Sequence, residues 1–208
     1  LRLVPAQPPR STMVASFPTV GAAADAVVAI GASLRPSMME LMDQASINAV
    51  EDYQPMGLDR GAGALLIAQS DAPGAAREAE VAVMAAACES AGAAEVFSTD
   101  DPDEGELFVQ ARRVAFPAIE AKGALLLEDV GAPVPALPAL LAAVEQIAAR
   151  HGLLIPVVAH AGDGNTHPII VFDPTDERGF NLSCYFCQRF DACRLMFIEM
   201  NPNTVFVI

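Results

Sequence analysis

Short apolar runs alternate with stretches of helical period from residue 11 to residue 172. The runs at 11–17, 37–42, 64–69, 94–98 and 124–128 are bounded by Gly, Pro, Ser or Asp, which is the punctuation of strands. Two further apolar runs, 153–160 and 167–172, flank a tight polar loop at 161–166. The segments between carry helix signals. Thr19 caps a helix running to about Ala32, and Asp43 caps another running to about Tyr53, because short oxygen-bearing side chains accept from first-turn amides. Pro73 stands near the first turn of a helix ending at Ser90. Asp100 to Glu104 put negative charge at the start of a helix reaching about Ala121, where the dipole favours it. The last helix spans 137–150, with Gly152 where a left-handed C-cap belongs. Strands and helices in this order predict an α/β or α+β domain, its sheet covered by helices on at least one face.

The pattern stops near residue 179. Residues 180–208 hold five of the ten Phe and three of the four Cys, with one Ala and no Gly. Their apolar positions follow neither a helical nor a strand period. This divides the chain into a Pro-rich linker at 1–10, a domain at 11–178 and an atypical tail at 179–208. The tail reads either as the product of a frame change or fusion, or as an ordinary extension. The chain opens on Leu1 rather than Met, as a fragment would.

Composition narrows the function. Hydrophobic residues make up 53% and charged residues 18%, enough to bury a sizeable core and unlike a disordered chain. The mean hydropathy of +0.36 raises the question of a membrane span. The longest apolar stretches are broken by charge, by Arg77, Glu78, Glu80 and Glu89 in one and Glu145 in another, short of the roughly 20 apolar residues a span needs. A net charge of −14 without a Lys/Arg cluster argues against nucleic acid as a partner. The N-terminus lacks the apolar core of a signal peptide, and the cysteines form no disulfide framework, so a cytoplasmic location is expected. Cys184, Cys187 and Cys193 lack a fourth ligand at zinc-site spacing. His151 suits the negative end of its helix, and Met38, Met39, Met42 and Met56 suit a core.

The segment 157–172, VVAHAGDGNTHPIIVF, carries the most chemistry. If its two strands pair, His160 and His167 come close across the ladder, and two neutral imidazoles can begin a Zn²⁺ or similar divalent site. Asp163 offers a third oxygen ligand or, more simply, a turn cap. Gly162 and Gly164 permit a sharp turn and close approach, and Asn165 brings a donor and an acceptor. The same residues also describe a plain hairpin turn flanked by two histidines.

His160-Ala-Gly-Asp-Gly-Asn-Thr-His-Pro168, preceded by an apolar strand, resembles the signature of the FAD-linked oxidase C-terminal domain family, which includes glycolate oxidase D subunits, D-lactate dehydrogenases and D-2-hydroxyglutarate dehydrogenases. The stretches 34–43 (LRPSMMELMD), 63–67 (GALLI), 112–117 (RRVAFP) and 125–133 (LLLEDVGAP) extend the likeness in matching order and spacing. The resemblance implies an α+β domain: a ferredoxin-like antiparallel sheet covered by helices, forming the substrate side of a flavin enzyme. It implies FAD held mainly by a separate N-terminal domain, and oxidation of a 2-hydroxy acid, of glycolate or D-lactate type, to the 2-oxo acid. It also implies His160 and His167 as ligands of a divalent metal and Asn165 as a substrate neighbour. Arg112 matches the arginine that takes the substrate carboxylate, a role suited to a permanently charged bidentate fork. Taken without the resemblance, Arg112 and Arg113 also fit as solvated charges, and Arg113 is expected to face solvent or an acidic neighbour.

The family's later Gly-Glu-His-Gly-like segment, which supplies a metal-binding glutamate and the base, has no match here. Nothing around Glu199, the one glutamate of the tail, resembles it. No catalytic base and no flavin-binding residue can be assigned in this chain. The expectation is therefore the substrate-domain portion of such a dehydrogenase, inactive alone, or else an inactive remnant or stand-alone binding domain.

Overall fold

The computed structural model describes residues 9–175 and the backbone of Phe206–Val207. The expectations for residues 1–8 and for the tail, including Cys184, Cys187, Cys193 and Glu199, lie outside the described residues.

The elements run β1 (Ser11–Phe17), α1 (Val20–Ser33), β2 (Met38–Asp43), α2 (Gln44–Tyr53), β3 (Ala64–Ser70), α3 (Ala75–Ser90), β4 (Glu95–Thr99) and α4 (Pro102–Glu120). Then come β5 (Ala124–Leu127), β6 (Val130–Gly131), a 3-10 turn (Val134–Ala136), α5 (Leu137–His151), β7 (Val157–His160), β8 (Asn165–Phe172) and β9 (Phe206–Val207). All pairings are antiparallel, in the order β4-β1-β3-β2-β7-β8-β6-β9, with β5 also against β8. This is the expected α+β arrangement.

Helices cover both faces of the sheet. Residues of α1, α3 and α5 close over Met13, Ala15, Phe17, Leu41, Leu66 and Val157 in one core. On the other face α2 and α4 close over Val14, Met42, Leu65, Ile67, Val158 and Ile169. The alternation of a strand sends successive residues to opposite faces, so one run feeds both cores. β3 is buried along its whole length because it is central and covered on both sides.

The helix ends follow their capping chemistry. Thr19 Oγ1 accepts from the Ala22 amide, and Asp43 Oδ1 accepts from the Ser46 amide at 2.8 Å. Asp101, one residue later than the predicted start, accepts from the Asp103 amide. Gly152 takes the left-handed conformation, with φ 65°, at the end of α5. Pro73 falls before the helix rather than in its first turn, since the cap is Gly74.

Two boundaries differ from the pattern. The run 153–160 forms a strand only from Val157, and Leu154 makes a single bridge to Val171. Pro156 has no amide to donate, so pairing beyond it is one-sided, with the Pro156 and Leu154 carbonyls accepting from the Ile169 and Val171 amides. The loop is also shorter than read, because Asn165 already pairs with His160. The two-residue strand β6 has too few positions to show a period.

Candidate functional site

The sheet register arranges the polar residues as a grid. Glu40 pairs with His160, and His160 with Asn165, so one transverse row across β2, β7 and β8 reads Glu40–His160–Asn165. The next row on the same face reads Met42–Val158–His167. β5 and β6 share one register against β8, with Leu127 opposite Ile169 and Val130 opposite Thr166. Asp129 therefore stands opposite His167. Directly paired antiparallel residues share a face, so these side chains all lie on the side covered by α2 and α4. Arg112, from α4, reaches down onto the same grid.

His160 and His167 are diagonal neighbours rather than opposite one another. Their rings still meet edge to face, with centroids 5.2 Å apart. Each Nδ1 has a carboxylate beside it. His160 Nδ1 lies 2.7 Å from Glu40 Oε1, and His167 Nδ1 lies 3.5 Å from Asp129 Oδ1. Carboxylates at Nδ1 leave the Nε2 lone pairs as the donors, the usual outer arrangement of a metal-binding histidine. Burial holds the His167 imidazole below its ordinary range, helped by neighbouring His160 and Arg112, while Asp129 and Glu40 pull it up. A neutral imidazole is the form that ligates.

Arg112 Nε stands 2.9 Å from Glu40 Oε2. Both side chains are largely buried, 16% and 12% exposed. The contact is an ion pair without hydrogen-bond alignment, so Arg112 Nε and Glu40 Oε2 remain buried without a well-formed hydrogen bond. Asn165 Oδ1 is buried without a partner as well. Among the described residues five buried side-chain polar atoms lack such a partner, and three of them belong to this one cluster. Unsatisfied buried polar atoms are costly and rare, and their concentration marks a place where a ligand completes the bonding.

The hairpin tip is built to hold this geometry. Gly164 has φ 81°, and a Cβ there would fall 1.9 Å from the Ala132 carbonyl oxygen. The Ala132 amide in turn donates to Gly164 O at 2.9 Å. Asp163 takes the turn role, its Oδ1 accepting from the Asn165 amide at 3.2 Å. A cavity of about 730 Å³ opens at the end of the row, bordered by Glu40, His160, Gly162, Asp163 and Arg35 but not by Arg112, Asn165 or His167. That volume is ordinary for a small-molecule pocket.

The structure thus brings together the four residues singled out from the sequence: Arg112, His160, Asn165 and His167. Arg113 points away and pairs with Glu106 at the surface. Glu40 and Asp129 went unnoticed. Glu40 had a signal, as the one charge between Met38 and Met42 in an otherwise apolar run.

A profile of the family described as FAD linked oxidases, C-terminal domain, matches residues 6–185. The chain belongs to this family. Curated relatives of this FAD-linked oxidase C-terminal domain include the glycolate oxidase subunit GlcD of Bacillus subtilis, 31% identical over 83% of this chain and 37% of the relative. GlcD of Escherichia coli K12 is 32% identical over 86% of this chain and 36% of its own length. The mitochondrial D-lactate dehydrogenase [cytochrome] of Arabidopsis thaliana is 31% identical over 79% and 29%. The chain spans about a third of the length of these relatives. Among solved structures, a substrate-bound p-cresol methylhydroxylase superposes with a TM-score of 0.62 at 12% identity over 90% of this chain and 44% of that one. An alkyldihydroxyacetonephosphate synthase superposes with a TM-score of 0.60 at 14% identity over 95% and 41%. At such identities the likeness is one of fold. The family is one of FAD-linked oxidoreductases, and FAD is its cofactor. No helix among the described residues is long and apolar enough to cross a membrane.

The metal expectation meets an incomplete donor set. Among the described residues no group of three His, Cys, Asp or Glu could hold an ion. Two imidazoles fit as part of a site, and no chemistry is derived through a metal here.

Proposed function

We propose that this chain is the substrate-side portion of a flavin-dependent dehydrogenase that oxidises a small 2-hydroxy acid, of the glycolate or D-lactate type, to the 2-oxo acid. The observation that carries this reading is the buried Arg112–Glu40 ion pair beside the histidine pair, with Asn165 Oδ1 buried next to them without a hydrogen-bond partner. The relatives named for glycolate and D-lactate support the substrate class. FAD, bound mainly by a separate domain, supplies the acceptor for the hydride leaving the substrate Cα.

Arg112 binds the substrate carboxylate. A guanidinium stays charged at every working pH and offers paired donors, and anchoring the carboxylate fixes where the Cα–H points. Asn165 uses its buried amide oxygen to accept from the substrate hydroxyl. His160 and His167 would supply their Nε2 atoms as two of the ligands of a divalent cation such as Zn²⁺. On this reading the chain by itself is inactive, because FAD would be held mainly by a separate domain.

The experiment is to produce the full chain with its flavin-binding domain and follow dye reduction with glycolate and D-lactate. Turnover with bound FAD supports the reading. A flavin-loaded protein that oxidises neither acid sinks it. The second reading, a domain that binds without catalysing, is favoured by the incomplete donor set. It predicts binding of a 2-hydroxy acid with no turnover in that assay.

A further inference from the structure

We infer that Glu40 is a positioning residue that sets both halves of this site at once, the tautomer of His160 and the presentation of Arg112. The inference rests on the functional reading above for what the two partners do, but its geometry stands by itself. Glu40 comes from β2, His160 from β7 and Arg112 from α4, so one carboxylate joins three elements. Its two oxygens divide the work: Oε1 lies 2.7 Å from His160 Nδ1, and Oε2 lies 2.9 Å from Arg112 Nε.

Each contact has a chemical consequence. An ionised carboxylate only accepts hydrogen bonds, so at His160 it selects the tautomer with the proton on Nδ1. The lone pair is then on Nε2, on the far side of the ring. At Arg112 the carboxylate pairs with the guanidinium by charge, its Oε2 standing nearest Nε but out of line for a hydrogen bond. A contact centred on Nε leaves the paired terminal donors, the better bidentate fork, for a ligand. A charge held at 12% exposure among apolar strand residues is costly unless it is paired, and Arg112 supplies that pairing. Met38 and Met42, its neighbours on the same face, fill core volume and do neither job.

The test uses the full, flavin-containing protein with nitrogen-15-labelled histidine, and the variant Glu40→Gln, which keeps shape and removes charge. In the unsubstituted protein the His160 ring shows the Nδ1–H tautomer. In the variant it moves toward the Nε2–H form, because the amide can donate to Nδ1. The unsubstituted measurement needs no variant to fold, and His151, at the end of α5, serves as an internal reference. Finding His160 as Nε2–H in the unsubstituted protein overturns the inference.

The second readout is kinetic. Glu40→Gln raises KM for the 2-hydroxy acid about tenfold or more, and Glu40→Gln combined with Arg112→Ala is no worse than Arg112→Ala alone. Penalties that simply add would mean that Glu40 does not act through Arg112, and would overturn that half. Absence of any oxidation by the unsubstituted protein removes the functional reading instead, while the tautomer result still decides the role of Glu40 at His160.

Discussion

Strand β2 carries two acids, one mid-strand and one at its end, and the two live differently. Glu40 has a partner on each oxygen, the Arg112 guanidinium on one and the His160 ring on the other. Asp43, three residues on, has the amide and hydroxyl of Ser46 and the backbone of Val157 for company, with Glu145 nearby. Burial pushes the Asp43 carboxyl up to about 6 despite those hydrogen bonds. One acid is held where its charge is useful to a ligand. The other does a structural task, capping a helix, at a cost that grows as it ionises. Position on a strand does not separate such roles; the partners do.

The sharpest way to break the site end is at its turn. Gly164→Ala forces a Cβ against the Ala132 carbonyl at a positive φ, and should cost about 3 kcal/mol or more, read as a lower denaturation midpoint. Stability within about 0.5 kcal/mol of the parent would mean that the tip is looser than described. Next, Arg112→Ala in the flavin-loaded protein should lower kcat/KM for the 2-hydroxy acid more than tenfold, over about 1.4 kcal/mol. Unchanged kinetics would remove Arg112 from the site. His160→Ala should weaken divalent-metal binding about tenfold, measured by titration with Zn²⁺ under a competing chelator; equal affinity would show that the imidazole is no ligand.

At the other end, the raised Asp43 value means that the folded state holds its proton more tightly than the unfolded state. The stability this contributes is present below about pH 4 and is lost as pH rises toward 6. Asp43→Asn keeps a capping oxygen and cannot ionise. It should flatten the stability profile between pH 4 and 6 and gain about 1 kcal/mol at pH 7. A pH profile identical to the parent would mean that Asp43 is better solvated than its burial suggests. The smallest effect belongs to Arg113→Gln, which removes only an exposed pair with Glu106 and should change stability by less than about 0.5 kcal/mol and kinetics not at all. A kinetic loss there would exchange the roles given to the two arginines.

Much of this is legible in the sequence. The caps at Thr19, Asp43 and Gly152 are local chemistry, and local chemistry is written in neighbouring residues. The motif from His160 to Pro168 pointed to the loop around which this cluster gathers, because both histidines, Gly164 and Asn165 lie within nine positions. Glu40 and Asp129 were missed for the opposite reason. Glu40 is 120 residues from its histidine, and Asp129 reaches its own only through the register of β6 on β8. Pairing across distant strands has no signature in either partner alone. The start of β7 was misjudged because an apolar run says nothing about which amides can join a ladder, and Pro156 decides that.

The locked turn at Gly164 has a mechanical consequence. Its Cα rests against the Ala132 carbonyl while the Ala132 amide bonds back to it, so the hairpin tip and the neighbouring strand form one stiff tongue. Such a tongue cannot swing like a flap. The gap between the two histidines is therefore fixed by sheet spacing, and whatever enters must fit a caliper set in advance.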